Sequence, residues 1–135
     1  MELVEMLPIV AAALWAGVAI GVMSNSATTK SAWLLPAGLC VLFFAWSLLA
    51  VIQEGPLGFW PEHTRHLWGN QIWFDLLLSI GVGWALLVPQ ARTFGMRPLP
   101  WFVLIACTGS IGLLAMFARV LYLREHTNIP QTQPS

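Results

Sequence analysis

The stretch WFVLIACTGSIGLLAMFARVLYL, residues 101–123, decides how this chain folds, because its reading sets where every later charge lies. It follows Pro98 and Pro100, which are well placed to open a helix, and it stops at Arg124 and Glu125. A helix crossing a ~30 Å hydrocarbon core needs about 20 apolar residues, each adding ~1.5 Å, and must satisfy its own backbone polar groups. Residues 101–123 meet that requirement as one helix.

Three earlier runs pass the same test: residues 7–24, closed by Ser24, Asn25 and Ser26; residues 32–53; and residues 72–88, ended by Pro89. Composition agrees. Of 135 residues, 58% are hydrophobic and 9% charged, with a mean hydropathy of +0.74, where a soluble domain is about 25% charged. A disordered tail is excluded by the apolar content, and six Lys or Arg against six Asp or Glu leave no net pull toward nucleic acid. The expected fold is an all-α integral membrane protein, a four-transmembrane-helix bundle over residues 1–125, with a short polar tail at 126–135. The residues ahead of the first run carry Glu2 and Glu5 and no base, unlike a signal peptide, so that run is read as retained.

Four crossings put both termini and the middle connection on one face, and the other two connections on the opposite face. The second face carries Lys30, Arg92 and Arg97; the first carries Arg65 and Arg124, with Arg119 just inside the last run. The count leans toward the second face being cytoplasmic in a bacterial inner membrane. Trp33, Trp60, Trp68, Trp73 and Trp101 fall near span ends, as an interfacial belt would. All six acids and His63, His66 and His126 are expected on the first face or just inside it.

Asp75 and Arg119 lie at matching depths from that face, so a pair between spans three and four is expected; burying either charge alone costs about 2.5–3.5 kcal/mol at a helix centre. A carboxylate complementing a helix N-terminus and an Arg snorkelling outward account for the same residues. In the middle connection His63 and His66 would share a helical face, and Glu62 and His66 could share a proton or a ligand. Two His and one Glu lack the spaced third ligand of a zinc site, so no metal and no cofactor are assigned.

Ala13, Gly17 and Gly21, then Ser79, Gly81 and Gly83, then Gly109 and Gly112, read as close-packing faces, within the chain or in a homodimer. Cys40 and Cys107 fall at similar depth and read as apolar filler, with a disulfide conceivable. Neither a phosphate-binding glycine loop, nor a nucleophile elbow, nor Cys-x-x-Cys is present.

From about Asn70 the chain resembles small bacterial four-span membrane proteins distantly similar to the plant neoxanthin-synthase-type family. The residues carrying the resemblance are Trp73-Phe74-Asp75-Leu76-Leu77-Leu78, Ala91-Arg92-Thr93-Phe94-Gly95-Met96-Arg97, Gly109-Ser110-Ile111-Gly112-Leu113-Leu114 and Leu123-Arg124-Glu125. The plant relatives often place proline between the last-span glycines, where this chain has Ser110 and Ile111. The resemblance implies a helical bundle near lipophilic isoprenoid metabolism, such as carotenoid biosynthesis, with Asp75 the position to carry over.

Three functional readings follow. The first is a protein holding a lipophilic, isoprenoid or lipid-like molecule between its spans, with Asp75, Glu62, His63, His66 and Arg119 at the reactive end. As an enzyme it would be an isomerase or cyclase moving protons at a double bond or epoxide. The second is a non-catalytic accessory subunit of a larger membrane complex, and the third, with thinner support, a small transporter. Membrane lipid is a partner in all three.

Overall fold

A computed structural model describes residues 3–24 and 30–127, so Glu2 and the polar tail from residue 128 lie outside the described residues. The described chain is all-α, with no strand. It divides into two compact units, Met1–Lys30 and Ser31–Ser135. The first contains α1 (Leu3–Ser24), a 22-residue helix with Pro8 inside it and exposed apolar side chains at Ile9, Leu14, Trp15 and Ile20.

The second unit holds α2 (Leu34–Glu54), α3 (Phe59–Thr64), α4 (Leu67–Thr93), α5 (Pro98–Thr108) and α6 (Ser110–His126). Two of these, α2 and α4, are long and apolar enough to cross a membrane. Only 6% of each apolar stretch is buried, so neither is the core helix of a water-soluble domain.

Residues 101–123 do not form the single helix expected of them. The chain breaks at Gly109, whose φ of 61° and ψ of −125° lie where a Cβ is not tolerated. The break is a reversal. In a continuous helix, Ile105 and Gly112 would be about 10 Å apart, yet a Cβ on Gly112 would come within 2.9 Å of the Ile105 Cα. Gly109 keeps its own backbone paired, its N–H donating to the Ile105 carbonyl and its carbonyl accepting from the Leu113 N–H. Thus α5 climbs, turns at Gly109, and α6 descends beside it.

Contacts with the long helices fix the same geometry. Along α2 the partners on α6 fall as the residue number rises: the Ser31 N–H donates to the Glu125 carboxylate at 2.9 Å, Trp33 meets the Tyr122 ring edge-on at 5.4 Å, and the Cys40 thiol donates to the Ile111 carbonyl at 3.4 Å. These two helices are therefore antiparallel. Along α4 the partners rise together, Gly83 against Leu113 and Gln90 hydrogen-bonded to Arg124, so α4 and α6 run parallel. The tip of the hairpin lies beside Ile80, about 20 Å along α4 from Leu67 and near its midpoint. The hairpin fills the space between α2 and α4 over half their length.

The core surrounds that hairpin: Leu87, Ala91, Ile105, Met116 and Val120, flanked by Trp84, Trp101 and Leu113. Trp101 thus packs, partly buried, against the core, and Trp33 packs on Tyr122; of the belt expected in this unit, Trp60 and Trp68 stay exposed near the α3 connection. Gly83 and Gly112 serve as packing glycines, the first against Leu113 and the second against Ile105.

The reversal also moves charges. Arg119, Arg124, Glu125 and His126 end up beside Arg92 and Arg97, not beside the α3 connection, so the expected gathering of all acids and histidines on one face does not hold. Four of the five arginines share this end, and Arg65 is the exception.

Substitutions at three glycines separate these roles. Gly109→Ala is expected to cost about 1–3 kcal/mol through backbone strain, and Gly112→Ala a similar amount through overlap with the Ile105 backbone. Gly81→Ala, with open space around it, should be neutral or stabilising by up to about 1 kcal/mol. Thermal unfolding of the three variants in one detergent checks the order.

Candidate functional site

Because the hairpin stops at half depth, the upper halves of α2 and α4 have no third helix of this unit between them. A half-open cavity of about 750 Å³ lies there. Its walls are apolar and aromatic, with Phe43 and Trp46 from α2, Leu77 and Ile80 from α4, and Phe102 from α5. Part of its floor is the hairpin tip, Cys107, Thr108 and Gly109, and beside the tip it continues down α5 past Ala106 and Ile105 to Phe102. A pocket of this size, mostly apolar with a few polar groups, is the form small-molecule sites take.

The polar groups lie at the other end. Glu54 ends α2, where Gly55 at φ 84° turns the chain toward α3, and it is among the residues lining the cavity. Gly58 comes so close that a Cβ there would lie 2.9 Å from the Glu54 side chain and carbonyl. His63, from α3, also lines it, with its ring 5.0 Å from Trp73 and 6.1 Å from Phe59; those two aromatics stack at 5.9 Å. The His63 Nδ1 is 3.3 Å from the Gly69 carbonyl oxygen. A carbonyl can only accept, so in this contact Nδ1 is the donor. The α3–α4 corner that sets this contact is tight, since a Cβ on Gly69 would overlap the Glu62 carbonyl.

Of the five residues expected at the site, His63 alone lines this cavity. Glu62 is exposed and ion-paired with Arg65 at 3.3 Å, on the outside of α3. His66 does not share a face with His63, because α3 ends at Thr64 and His66 is the extended residue preceding α4, with φ −139° and ψ 156°. Asp75 and Arg119 form no ion pair. Asp75 is eight residues before Gly83, about 12 Å up α4, while Arg119 lies beyond Leu113 on the descending α6 and places its guanidinium 5.6 Å from the Tyr122 ring centre.

Asp75 also faces away from the cavity. The inward stripe of α4 is Trp73, Leu77, Ile80, Trp84, Leu87 and Ala91 at alternating spacings of four and three. Asp75 precedes Trp84 by nine residues, about two and a half turns, which sets it on the opposite side. There it is exposed among Ile72, Leu78, Ser79 and Val82.

Glu54 and Cys107, neither of them among the expected site residues, stand on the cavity wall. The signal for Glu54 was its position at the end of a span, next to a glycine and a few residues before a histidine. Both cysteines are free thiols: Cys40 is half-buried against α6 and Cys107 is exposed. No group of three or more His, Cys, Asp or Glu side chains converges among the described residues in a way that could hold a metal ion. No protein-family model, no curated protein and no solved structure matches the chain.

His63→Ala should cost about 0.5–1.5 kcal/mol by removing the ring from the Phe59–Trp73 cluster, and should shift the tryptophan emission. Glu62→Gln breaks a pair whose side chains are 58% and 66% exposed and should leave the melting temperature within experimental scatter. Parallel melting and emission spectra of the two variants test the assignment of His63, and not Glu62, to the site.

Proposed function

We propose that this chain is an integral membrane protein of a bacterial inner membrane that binds a lipophilic molecule, isoprenoid or lipid-like, between α2 and α4. In this reading α2 and α4 cross the bilayer and α5–α6 is a re-entrant hairpin where a fourth crossing was expected. The observation that carries it is the half-open aromatic cavity above the hairpin tip. Irregular backbone at membrane depth is tolerated where it is buried in protein or lines a cavity, and Gly109 lines one. The end gathering Arg92, Arg97, Arg119 and Arg124 is cytoplasmic by the positive-inside rule, a wider margin than a fourth crossing would give.

An isomerase or cyclase working in this cavity would move protons with Glu54 and His63, which stand on its wall, in place of Asp75 and Glu62, which do not. The likeness to the neoxanthin-synthase-type family supports an isoprenoid of the carotenoid kind as the occupant, though Asp75 then has no part in the chemistry.

A second reading, the accessory subunit, has one observation behind it. Asp75 is an acid on an exposed apolar helix face, where a carboxylate meeting lipid costs on the order of 2–3 kcal/mol. A partner helix carrying a base or a hydrogen-bond donor would remove that cost.

Protein purified in mild detergent is expected to retain an extractable isoprenoid or neutral lipid by mass spectrometry. In a Cys40→Ala background, that occupant should slow alkylation of Cys107 by N-ethylmaleimide. Ala50→Trp, which fills the cavity from α2, should lose the lipid; Asp75→Leu should keep it. Absence of any retained lipid, together with equal labelling of Cys107 in both cavity states, would reject the ligand-binding reading. Loss of a larger complex in Asp75→Leu, with no retained lipid, would favour the accessory subunit.

A further inference from the structure

We propose that the cavity selects a lipophile whose polar end is an uncharged hydrogen-bond donor, an isoprenoid alcohol or its like, and discriminates against the phosphorylated form of the same chain. This rests on the ligand-binding reading and adds the chemical class of the head group and the direction in which it enters.

The argument is one of matching donors to acceptors. At the α3 end the polar residues lining the cavity are Glu54, an acid, and His63, whose Nδ1 is turned to the Gly69 carbonyl. Neither lysine nor arginine lines the cavity. The arginine near that end, Arg65, is held by Glu62 on the outer side of α3, and the other four sit past the hairpin at the opposite end. A phosphate or diphosphate entering here would meet an acid with no lysine or arginine to offset it, which is repulsive. A hydroxyl can donate to that acid without bringing a charge.

The floor offers an anion no better place. The Thr108 hydroxyl already donates to the Leu104 carbonyl, so it is left only to accept. The C-terminus of α5 and the N-terminus of α6 meet at Gly109, and their opposite partial charges largely cancel there. The first α6 amide beyond the turn with an intrahelical partner, that of Leu113, donates to Gly109. The floor and walls therefore suit the hydrocarbon tail, with the head near the water-facing rim. From the hairpin tip outward, the order is tail at Gly109, aromatic walls at Phe43 and Trp46, then head at Glu54 and His63.

Matched probes test this directly. Geranylgeraniol and geranylgeranyl diphosphate share one hydrocarbon chain, and their binding can be followed by quenching of tryptophan emission in detergent, with Ala50→Trp as the filled-cavity control for micelle effects. The alcohol is expected to bind at least about tenfold more tightly than the diphosphate. Glu54→Gln should narrow that ratio by admitting the diphosphate, and Glu54→Lys should invert it; Glu54 is exposed, so both variants should fold, which their melting temperatures verify. A wild-type protein that binds the diphosphate as well as the alcohol, or better, overturns the head-group assignment while leaving ligand binding intact. Failure of both probes to give a signal beyond the Ala50→Trp control overturns the ligand-binding reading itself.

Discussion

Gly109 sits at a backbone conformation that other residues reach only under strain, and it does so in the middle of an apolar run long enough to cross a membrane. Reversal at that point splits the run into an ascending α5 and a descending α6, and the remaining architecture follows. The hairpin needs a close approach of its two arms, which Gly112 permits by leaving the Ile105 backbone uncovered. It needs a seat on α4, which Gly83 provides by admitting Leu113. It ends halfway up the long helices, so the space above it belongs to no side chain of this unit and becomes the cavity. The same reversal carries Arg119 and Arg124 back to the end from which α5 departed, and so separates the bases from the acid and histidine that line the site.

What holds this arrangement together differs from the balance in a water-soluble domain. Most large apolar side chains of α2 and α4 remain exposed, and the buried cluster is confined to the hairpin and the second half of α4. In lipid, burying such side chains gains little from leaving the solvent, since the tails are as apolar as leucine; van der Waals packing and hydrogen bonds carry the association instead. That is the setting in which a glycine in contact with a leucine, or a backbone N–H donating to a carboxylate, counts for more than area. The Ser31–Glu125 bond and the Trp33–Tyr122 contact pin the start of α2 to the end of α6, and the core pins the middle. Little pins the upper halves of α2 and α4 beyond the α3 corner.

Much of the helical content was legible in the residues. The apolar runs at 32–53 and 72–88 correspond to α2 and α4, and the proline pair at 98 and 100 opens α5 as the capping rule expects. The reversal was not legible, because hydropathy averages over a window and a glycine between Thr108 and Ser110 barely alters the mean; Gly109 reads equally well as a packing residue and as a breaker. That one ambiguity propagated. Read as a continuous span, residues 101–123 set Arg119 level with Asp75, and the pairing suggested by that matching depth vanished once α6 ran the other way. His63 and His66 failed for a local reason: a three-residue spacing predicts a shared face only inside a helix, and α3 ends between them. His63 was singled out only as one of a pair with His66, and the structure puts it on the cavity wall without its partner. Glu54 was passed over because an acid at the end of a span is the commonest place for a solvated charge.

The position of the reversal, more than any single lining residue, sets what the cavity can hold. Each residue of α5 adds ~1.5 Å of height, so eleven residues raise the tip about 16 Å, against about 40 Å for α4. A glycine one turn later would raise the tip by about 5 Å and take that height from the space above it; one turn earlier would lower the tip. In the ligand-binding reading proposed above, the height of the tip would bear on the tail, and Glu54 and His63, at the far end beside the α3 corner, on the head group. The two ends are set by separate parts of the chain, one by where α5 turns and the other by how α3 is seated.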